Sequence, residues 1–211
     1  MTISLAAVTK EFNRKPVFQD VSFDVMPGEV FGITGRNGSG KSTLLKIVAG
    51  LLTATRGNVQ YAGKSGPIPA EHWYRSIGFI APYLNLYDEF SAVENIRLFA
   101  SVRGLACTHA EACALLERVG LPTDRTDAIR AFSSGMKQRM KLVFAILHRP
   151  PVLLLDEPIS NLDSEGVAVV HTIIRDQRRL GSVVIATNDQ SDIDQCDRVY
   201  ALNVAVPASR L

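Results

Sequence analysis

The sequence predicts an α/β fold with a mixed or parallel sheet core, N-terminal antiparallel strands and a helical insertion. Residues 152–155 and residues 183–186 are short, uninterrupted apolar runs, as is typical of strands buried on both faces of a parallel sheet. Strand patterns alternate with helical patterns along the chain. A glycine-rich segment, residues 35–40, joins an apolar strand to a helix. Together these observations favour a parallel sheet whose strands are connected by helices.

Apolar and more polar residues alternate in two N-terminal segments, which predicts two strands. The apolar positions are Ile3, Leu5 and Ala7 in the first segment and Val21, Phe23 and Val25 in the second. Residues 30–33 form a short apolar strand that leads into the glycine-rich segment. From Lys41 the apolar period becomes helical. The apolar face of this helix consists of Leu44, Leu45, Ile47, Val48 and Leu51.

The middle of the chain contains two short strands followed by a long helical region. Val59 and Tyr61 indicate the first strand, and residues 77–80 indicate the second. Between them, residues 63–69 are rich in Gly and Pro and are expected to form a loop. The segment from about residue 88 to residue 146 is mainly helical, and we interpret it as a subdomain.

Capping residues mark the helices of this region. Thr108 with Glu111 three residues later is a capping box, and Gly120 is a helix stop. Ser133 is expected to cap a later helix. The remaining predicted elements are a strand at residues 152–155, a helix that ends at Gly181, and strands at residues 183–186 and 199–202.

Composition restricts the class of protein. The chain has 211 residues, 46% of them hydrophobic and 21% charged, which fits one globular domain spanning residues 1–211. A net charge of +2 gives no electrostatic basis for a nucleic-acid partner, so any phosphate binding must be local. The apolar runs are far shorter than the roughly 20 residues of a membrane-spanning helix. The three dispersed cysteines show no metal-ligand spacing, which favours a reducing cytoplasm.

Residues 35–42, Gly-Arg-Asn-Gly-Ser-Gly-Lys-Ser, fit the pattern G-x-x-x-x-G-K-[ST] of a P-loop NTPase. The glycines let successive backbone N–H groups turn toward phosphate oxygens, and the helix start adds a partial positive charge. Lys41 can reach the β- and γ-phosphates of ATP, and the Ser42 hydroxyl can bind Mg²⁺. The predicted nucleotide-binding residues of this motif are Gly35, Arg36, Asn37, Gly38, Ser39, Gly40, Lys41, Ser42 and Thr43.

Two carboxylates, Asp156 and Glu157, directly follow the apolar run at residues 152–155. In a parallel sheet this strand end lies at the same edge as the glycine-rich loop. We expect Asp156 to hold Mg²⁺ and Glu157 to orient or deprotonate the attacking water. Two residues are needed, because the metal ligand must stay anionic on the ion while the base faces the γ-phosphate.

A third motif lies between the other two. Residues 132–139 read Phe-Ser-Ser-Gly-Met-Lys-Gln-Arg at the start of a predicted helix. This segment resembles the LSGGQ-type signature of ATP-binding cassette (ABC) ATPases, whereas small kinases and recombinase-type ATPases share only the first two motifs. Residues 158–163 look like the D-loop of that family. Phe12 lies where the family carries an aromatic side chain that stacks on adenine, although a core phenylalanine is the alternative.

The resemblance covers essentially the whole chain and implies a cassette dimer, either a homodimer or a heterodimer. Members of this family pair head to tail, so that each ATP lies between one chain's phosphate loop and the partner's signature. The signature residues here are Ser133, Ser134, Gly135 and Met136. Free N–H groups at this helix N-terminus suit a γ-phosphate supplied by the partner. In transporters of the family the dimer drives a separate transmembrane permease, which implies a cytoplasmic protein, peripheral on the inner face of the cell membrane.

The sequence departs from the family pattern at two positions. Pro82 stands where the family usually has a glutamine, and proline has neither a side-chain oxygen nor a backbone N–H. Asn85 or Tyr83 could take over that role. Asn188 replaces the histidine of the family's T-H-[DE] motif; an amide can hydrogen-bond to phosphate but cannot carry a proton or a positive charge.

Both departures affect groups that sense the γ-phosphate, while Glu157 and Lys41 are intact. We therefore predict that Asn188 contacts the γ-phosphate and that hydrolysis is slowed or differently coupled. The alternative for Asn188 is a turn residue that ends a strand.

Three functions stay open at this point. The first is the ATP-hydrolysing subunit of an ABC transporter, similar to small haem-exporter or drug-exporter cassettes, with residues 91–106 docked on the permease. The second is a soluble ABC ATPase in a non-transport assembly of the iron–sulfur type. The third is a degenerate ATP-binding half paired with an active cassette, which the two departures favour and Glu157 opposes.

Overall fold

The computed structural model describes residues 1–81 and 84–202. Pro82 and Tyr83, at and beside the position of the family's glutamine, lie outside the described residues, as do residues 203–211. In chain order the strands are β1 (Thr2–Phe12), β2 (Lys15–Val25), β3 (Val30–Thr34), β4 (Arg56–Gly63), β5 (Gly66–Ile68), β6 (Ile77–Ile80), β7 (Val152–Asp156), β8 (Ser182–Ala186) and β9 (Arg198–Ala201). The helices are α1 (Lys41–Val48), α2 (Ala92–Val102), α3 (His109–Arg118), α4 (Ser134–Ile146), α5 (Ser164–Leu180) and α6 (Gln190–Ile193).

The strands form two sheets of opposite type. Strands β2, β1, β4 and β5, in that order, form an antiparallel sheet near the N-terminus. Strands β6, β7, β8, β3 and β9 form a sheet in which every pairing is parallel. The predicted fold class, an α/β core with N-terminal antiparallel strands, is confirmed.

The central strands of the parallel sheet are buried on both faces, which explains their uninterrupted apolar sequences. Every residue of β7 is buried. Val152 and Leu154 pack into one core cluster with α1 and the antiparallel sheet. Leu153 and Leu155 point to the opposite face and pack into a second cluster with α2 to α5.

Helices α2, α3 and α4 make up the predicted helical region. The capping box of Thr108 and Glu111 is present at the start of α3, as predicted. A second capping box, formed by Ser91 and Glu94, begins α2. Ser133 caps α4 by accepting a hydrogen bond from the backbone N–H of Met136, as predicted.

Three local predictions were wrong. The segment at residues 63–69 is not simply a loop, because β5 lies within it and pairs with β4 in a hairpin. Leu51 is 65% exposed, because α1 ends at Val48 and the apolar face does not continue beyond it. Ala7 is exposed with a φ of +48°, because the pairing of β1 with β2 is irregular between Leu5 and Val8.

The order of the parallel strands decides where polar side chains meet. In the sheet β7 lies beside β8, and β8 lies beside β3. Their carboxyl ends share one edge, since the strands run parallel. The segments that leave this edge are the glycine-rich loop after β3, Glu157 after β7 and Thr187–Asp189 after β8. This edge is the candidate site.

Candidate functional site

The glycine-rich loop between β3 and α1 needs glycine at two positions for steric reasons. The φ of Gly35 is +147° and that of Gly40 is +99°. A Cβ on Gly40 would lie 2.5 Å from a side-chain carbon of Val17, and one on Gly35 would lie 2.6 Å from the carbonyl oxygen of Leu202. Gly40 caps α1 without a side-chain hydrogen bond. The first N–H groups of α1 are therefore available to an anion.

Lys41, the first residue of α1, is only 5% exposed. Its Nζ donates a hydrogen bond to the carbonyl oxygen of Gly35 at 2.8 Å and lies 3.5 Å from that of Arg36. The ammonium group is thereby held against the backbone of the glycine-rich loop. This arrangement concentrates positive charge at the loop and agrees with a role in phosphate binding.

Ser42 and Asp156 meet across the edge of the sheet. The Ser42 hydroxyl donates to Oδ1 of Asp156 at 2.9 Å. Asp156 is 1% exposed, and within the described part of the chain its buried Oδ2 has no hydrogen-bond partner. Burial raises the pKa of Asp156, and the hydrogen bond from Ser42 opposes that rise.

These two side chains fit Mg²⁺. The ion prefers hard oxygen ligands, and a hydroxyl and a carboxylate are both present. A buried carboxylate oxygen without a donor is unfavourable, and a cation would relieve that cost. The pair can therefore hold the Mg²⁺ that the sequence predicts.

Glu157 follows Asp156 with a φ of +48°, a conformation that is uncommon for residues other than glycine. Its backbone N–H donates to the carbonyl oxygen of Ala186 at 2.8 Å, which continues the pairing of β7 with β8. The side chain lines a cavity of about 400 Å³ together with Asn37, Asn161 and Asn188. The sheet thus places Glu157 in the same cavity as Asn37 of the glycine-rich loop.

Asn188 also reaches the glycine-rich loop. Its Nδ2 donates to Oδ1 of Asn37 at 2.7 Å. The preceding residue, Thr187, donates its backbone N–H to the carbonyl oxygen of Ile33 at 3.1 Å and so continues the pairing of β8 with β3. The turn-residue interpretation explains the position of Asn188 at a strand end, but it does not explain the bond to Asn37.

The signature segment lies elsewhere in the chain. Ser133 and Ser134 are exposed at the N-terminus of α4. Among the described residues, no hydrogen bond or ion pair joins the segment of Ser133 to Met136 with the glycine-rich loop. Gln138 on α4 instead donates to the carbonyl oxygen of Pro158, just after Glu157, at 3.3 Å. Within the described part of one chain, no polar contact therefore joins the signature segment to the glycine-rich loop.

Phe12 lies at the end of β1 and is 48% exposed, so it is not a core phenylalanine. The ammonium of Lys10 lies 4.8 Å from the centroid of its ring. An exposed ring is available for stacking, as the prediction for Phe12 requires.

Sequence reasoning missed a polar cluster behind Asn188. Asp192 is completely buried, and its Oδ2 accepts a hydrogen bond from the Thr187 hydroxyl at 2.9 Å. Asp192 lies in the short helix α6, whose N-cap is Asp189. The capping pattern of an aspartate before a serine could have located this helix. No local signal shows that Asp192 is buried.

The fold and the site together define a P-loop NTPase of the ATP-binding cassette class. A model of the ABC transporter family matches residues 18–160. The chain belongs to the ABC transporter family.

Individual relatives agree with this assignment. The chain is 30% identical over 207 residues to an uncharacterized ABC transporter ATP-binding protein, YybJ of Bacillus subtilis (strain 168), covering 95% of this chain and 92% of that protein. It is 34% identical over 187 residues to the Nod factor export ATP-binding protein I of Burkholderia thailandensis, covering 88% of this chain and 62% of that protein. The chain thus spans only about two thirds of the length of some of the relatives that it matches.

Solved structures show the same fold. The ATP-binding subunit of an ABC transporter superposes with a TM-score of 0.83 at 27% identity, covering 96% of this chain and 86% of that one. The ATP-binding cassette MJ0796, solved as a dimer in a post-hydrolysis state bound to ADP and Pi, superposes with a TM-score of 0.79 at 25% identity. That match covers 95% of this chain and 94% of the cassette.

Proposed function

We propose that this chain binds and hydrolyses ATP as a subunit of an ABC transporter, working as a single cassette over residues 1–211. The observation that supports this best is the convergence at one sheet edge. The glycine-rich loop, the Ser42–Asp156 pair, Glu157 and Asn188 all leave the carboxyl ends of β3, β7 and β8. The helical part, about residues 88–146, carries the signature.

Each residue of the loop site has a distinct role in this proposal. The backbone N–H groups of the loop and Lys41 bind the β- and γ-phosphates, and Thr43 extends the contact at the start of α1. Ser42 and Asp156 hold Mg²⁺, which, when bound, neutralises charge on the phosphate oxygens. Glu157 orients or deprotonates the attacking water. Phe12 stacks on the adenine base.

Asn188 offers an amide N–H to the γ-phosphate. A neutral amide stabilises the charge that develops in the transition state less than an imidazolium would, since charge-assisted hydrogen bonds are roughly twice as strong. The expected consequence is hydrolysis that is slower than with histidine at this position.

The exposed signature segment supports a head-to-tail dimer of cassettes, either with a second copy or with a different cassette. Ser134 and Gly135 begin α4, and the first N–H groups of a helix have no partner within the helix. Because the chain does not bring this helix end to its own phosphate loop, the N–H groups can serve the ATP of a partner. The ATP would then hold two cassettes together, and hydrolysis would release them.

A groove beside α2 is the proposed docking site for a separate transmembrane permease. Its cavity has a volume of about 820 Å³ and is lined by Tyr74, Arg75, Phe99, Val102, Arg103, Gly104, Leu105 and His148. Tyr74 and Val102 are 59% and 76% exposed. The two arginines favour a permease segment that combines apolar and acidic side chains.

In the described part of this chain, no helix has both the length and the apolar character to cross a membrane. We place the transmembrane part in the permease, and this cassette in the cytoplasm, peripheral on the inner face of the cell membrane.

One experiment tests the transporter assignment. The chain is purified with its native complex from solubilised membranes, and Mg-ATP turnover is compared with that of Glu157→Gln. A polytopic partner and Glu157-dependent phosphate release support the proposal. Soluble scaffold partners would favour the iron–sulfur type of assembly, and a second, different cassette that carries all of the turnover would favour the degenerate half.

A further inference from the structure

The backbone on both sides of Asn188 is held by one hydroxyl group. Oγ1 of Thr187 donates to Oδ2 of Asp192 at 2.9 Å and accepts the backbone N–H of Asp189 at 3.0 Å. Thr187 is 2% exposed and Asp192 is completely buried. The carboxylate of Asp192 therefore fixes the residue before Asn188 directly and the residue after it through Thr187.

The other oxygen of this carboxylate points to α5. Oδ1 of Asp192 is buried, and Nε2 of His171 lies 3.4 Å away from it. Nε2 is buried as well, and within the described part of the chain neither atom makes a hydrogen bond. A buried carboxylate oxygen without a donor is costly. An N–H on Nε2 of His171 would satisfy it with a small movement.

The charged surroundings of this pair are mostly acidic. Glu157 and Asp189 line the same cavity as Asp192, and Cys196 donates its Sγ–H to the carbonyl oxygen of Asp192 at 3.3 Å. Strand β8, which packs against α5, brings no charged residue. The nearest cation on α5 itself is Arg175, one turn further along, which bonds Thr172. His171 is therefore the group placed to donate to Oδ1 of Asp192.

We propose that Asp192 and His171 are positioning residues that hold Asn188 at the phosphate loop, with the imidazole supplying the donor that the buried carboxylate lacks. This inference rests on the proposed function, because it gives Asn188 its role at the γ-phosphate. His171 lies on α5, which follows the D-loop, so the cluster also connects that loop to the segment carrying Asn188.

The buried carboxylate of Asp192 needs a donor at its second oxygen. Burial raises the pKa of Asp192, so the ionised carboxylate is disfavoured where it has no partner. An N–H on Nε2 of His171 would give Oδ1 that partner and leave Oδ2 for the hydroxyl of Thr187.

The first test uses the full chain without nucleotide, so it does not depend on ATPase activity. In ¹⁵N-labelled protein the side-chain amide of Asn188 is assigned by its loss in Asn188→Ala. Its resonances are expected to move in His171→Phe, which removes the donor to Asp192, and to move less in His171→Gln, which keeps a donor. Arg175→Gln is the matched control on the same helix and should leave them in place. An Asn188 amide that is unmoved by His171→Phe overturns the proposal.

The second test measures Mg-ATP turnover in a double-mutant cycle. Asp192→Asn is expected to lower kcat about three- to tenfold with KM within about twofold, since it weakens one hydrogen bond to Thr187. In an Asn188→Ala background the same substitution should have no further effect, because the residue that it positions is gone. An equal loss in both backgrounds overturns the proposal.

These tests separate the proposed ATPase function from the positioning role of Asp192 and His171. If the wild type hydrolyses no ATP, the proposed function fails, and the nucleotide-free measurement of the Asn188 amide still decides whether His171 and Asp192 position Asn188. If Asp192→Asn shows no cooperative unfolding transition, His171→Phe and Thr187→Val, which leave the carboxylate in place, carry both measurements with the same expected outcomes.

Discussion

Asn188 donates its side-chain N–H to Oδ1 of Asn37 across 2.7 Å, joining the segment after β8 to the phosphate loop. The two residues are far apart in the sequence, and the parallel pairing of β8 with β3 brings them together. Asn188 stands where the family has a histidine, and its amide pairs with the amide of Asn37. The bond shows that the side chain of Asn188 reaches the glycine-rich loop, where the proposed function places the γ-phosphate.

Replacing Asn188 should therefore change the chemical step more than ATP binding. Asn188→Ala removes one neutral donor, and a loss of about tenfold in kcat is expected from a hydrogen bond of about 1.4 kcal/mol. Asn188→His should raise kcat, because an imidazolium makes a charge-assisted bond. Phosphate release at saturating Mg-ATP measures both.

Gln190→Ala is a matched control, since Gln190 is a neighbouring exposed amide that bonds Asp194, the residue after α6, and not the loop. Turnover that is the same in the wild type, Asn188→Ala and Asn188→His would show that this residue does not limit catalysis.

Glu157→Gln should abolish most hydrolysis while leaving nucleotide binding intact. Loss of a general base typically costs 10²- to 10⁴-fold, so kcat should fall by at least about 100-fold. The amide keeps the size of the side chain, and the left-handed backbone at this residue is unchanged. Affinity for a fluorescent ATP analogue, measured beside phosphate release, separates the two effects. Near-normal turnover would assign the base to another group.

The sequence predicted this edge of the sheet well, because each of its parts is a contiguous pattern. The glycine-rich loop and the pair Asp156–Glu157 both follow short apolar runs, and parallel strands place such ends side by side. Ser42 and Asp156 could be assigned to one metal for that reason. Their 2.9 Å contact in the structure agrees with the assignment.

The contacts that the sequence did not predict depend on packing between distant segments. Nothing near His171 in the sequence suggests a partner for its side chain. Only the packing of α5 against β8 brings it within 3.4 Å of Asp192. The exposure of Leu51 is similar, since it depends on where α1 ends rather than on the apolar period.

His148 should make the protein less stable in mild acid. Burial, helped by the charge of Arg103, lowers the pKa of His148 from 6.5 to about 4. The unfolded chain therefore binds more protons between these values, and stability falls as the pH drops through this window. Between pH 7 and pH 5 this effect should lower the free energy of unfolding by about 1 kcal/mol. This figure is reduced for solvent screening, because His148 is partly exposed.

Urea unfolding of His148→Gln at both pH values checks this effect. The variant should lose less stability between pH 7 and pH 5 than the wild type does. His72 is exposed, so His72→Gln should behave like the wild type. Equal losses in all three proteins would contradict the assignment to His148.

Mixing two inactive variants tests the head-to-tail dimer. Lys41→Ala removes the lysine of the phosphate loop, and Ser134→Glu places a negative charge at the exposed N-terminus of α4. Each homodimer should be inactive, because both of its sites contain one damaged half. A mixed dimer keeps one site that combines the intact phosphate loop of one chain with the intact signature of the other.

Random mixing makes about half of the dimers mixed, with one of two sites intact, so about a quarter of the wild-type turnover should return. Ala114→Glu, an exposed position on α3, is the matched charge control and should be active alone. If both parts of a site came from one chain, the mixed dimers would have no intact site, and turnover would stay at zero.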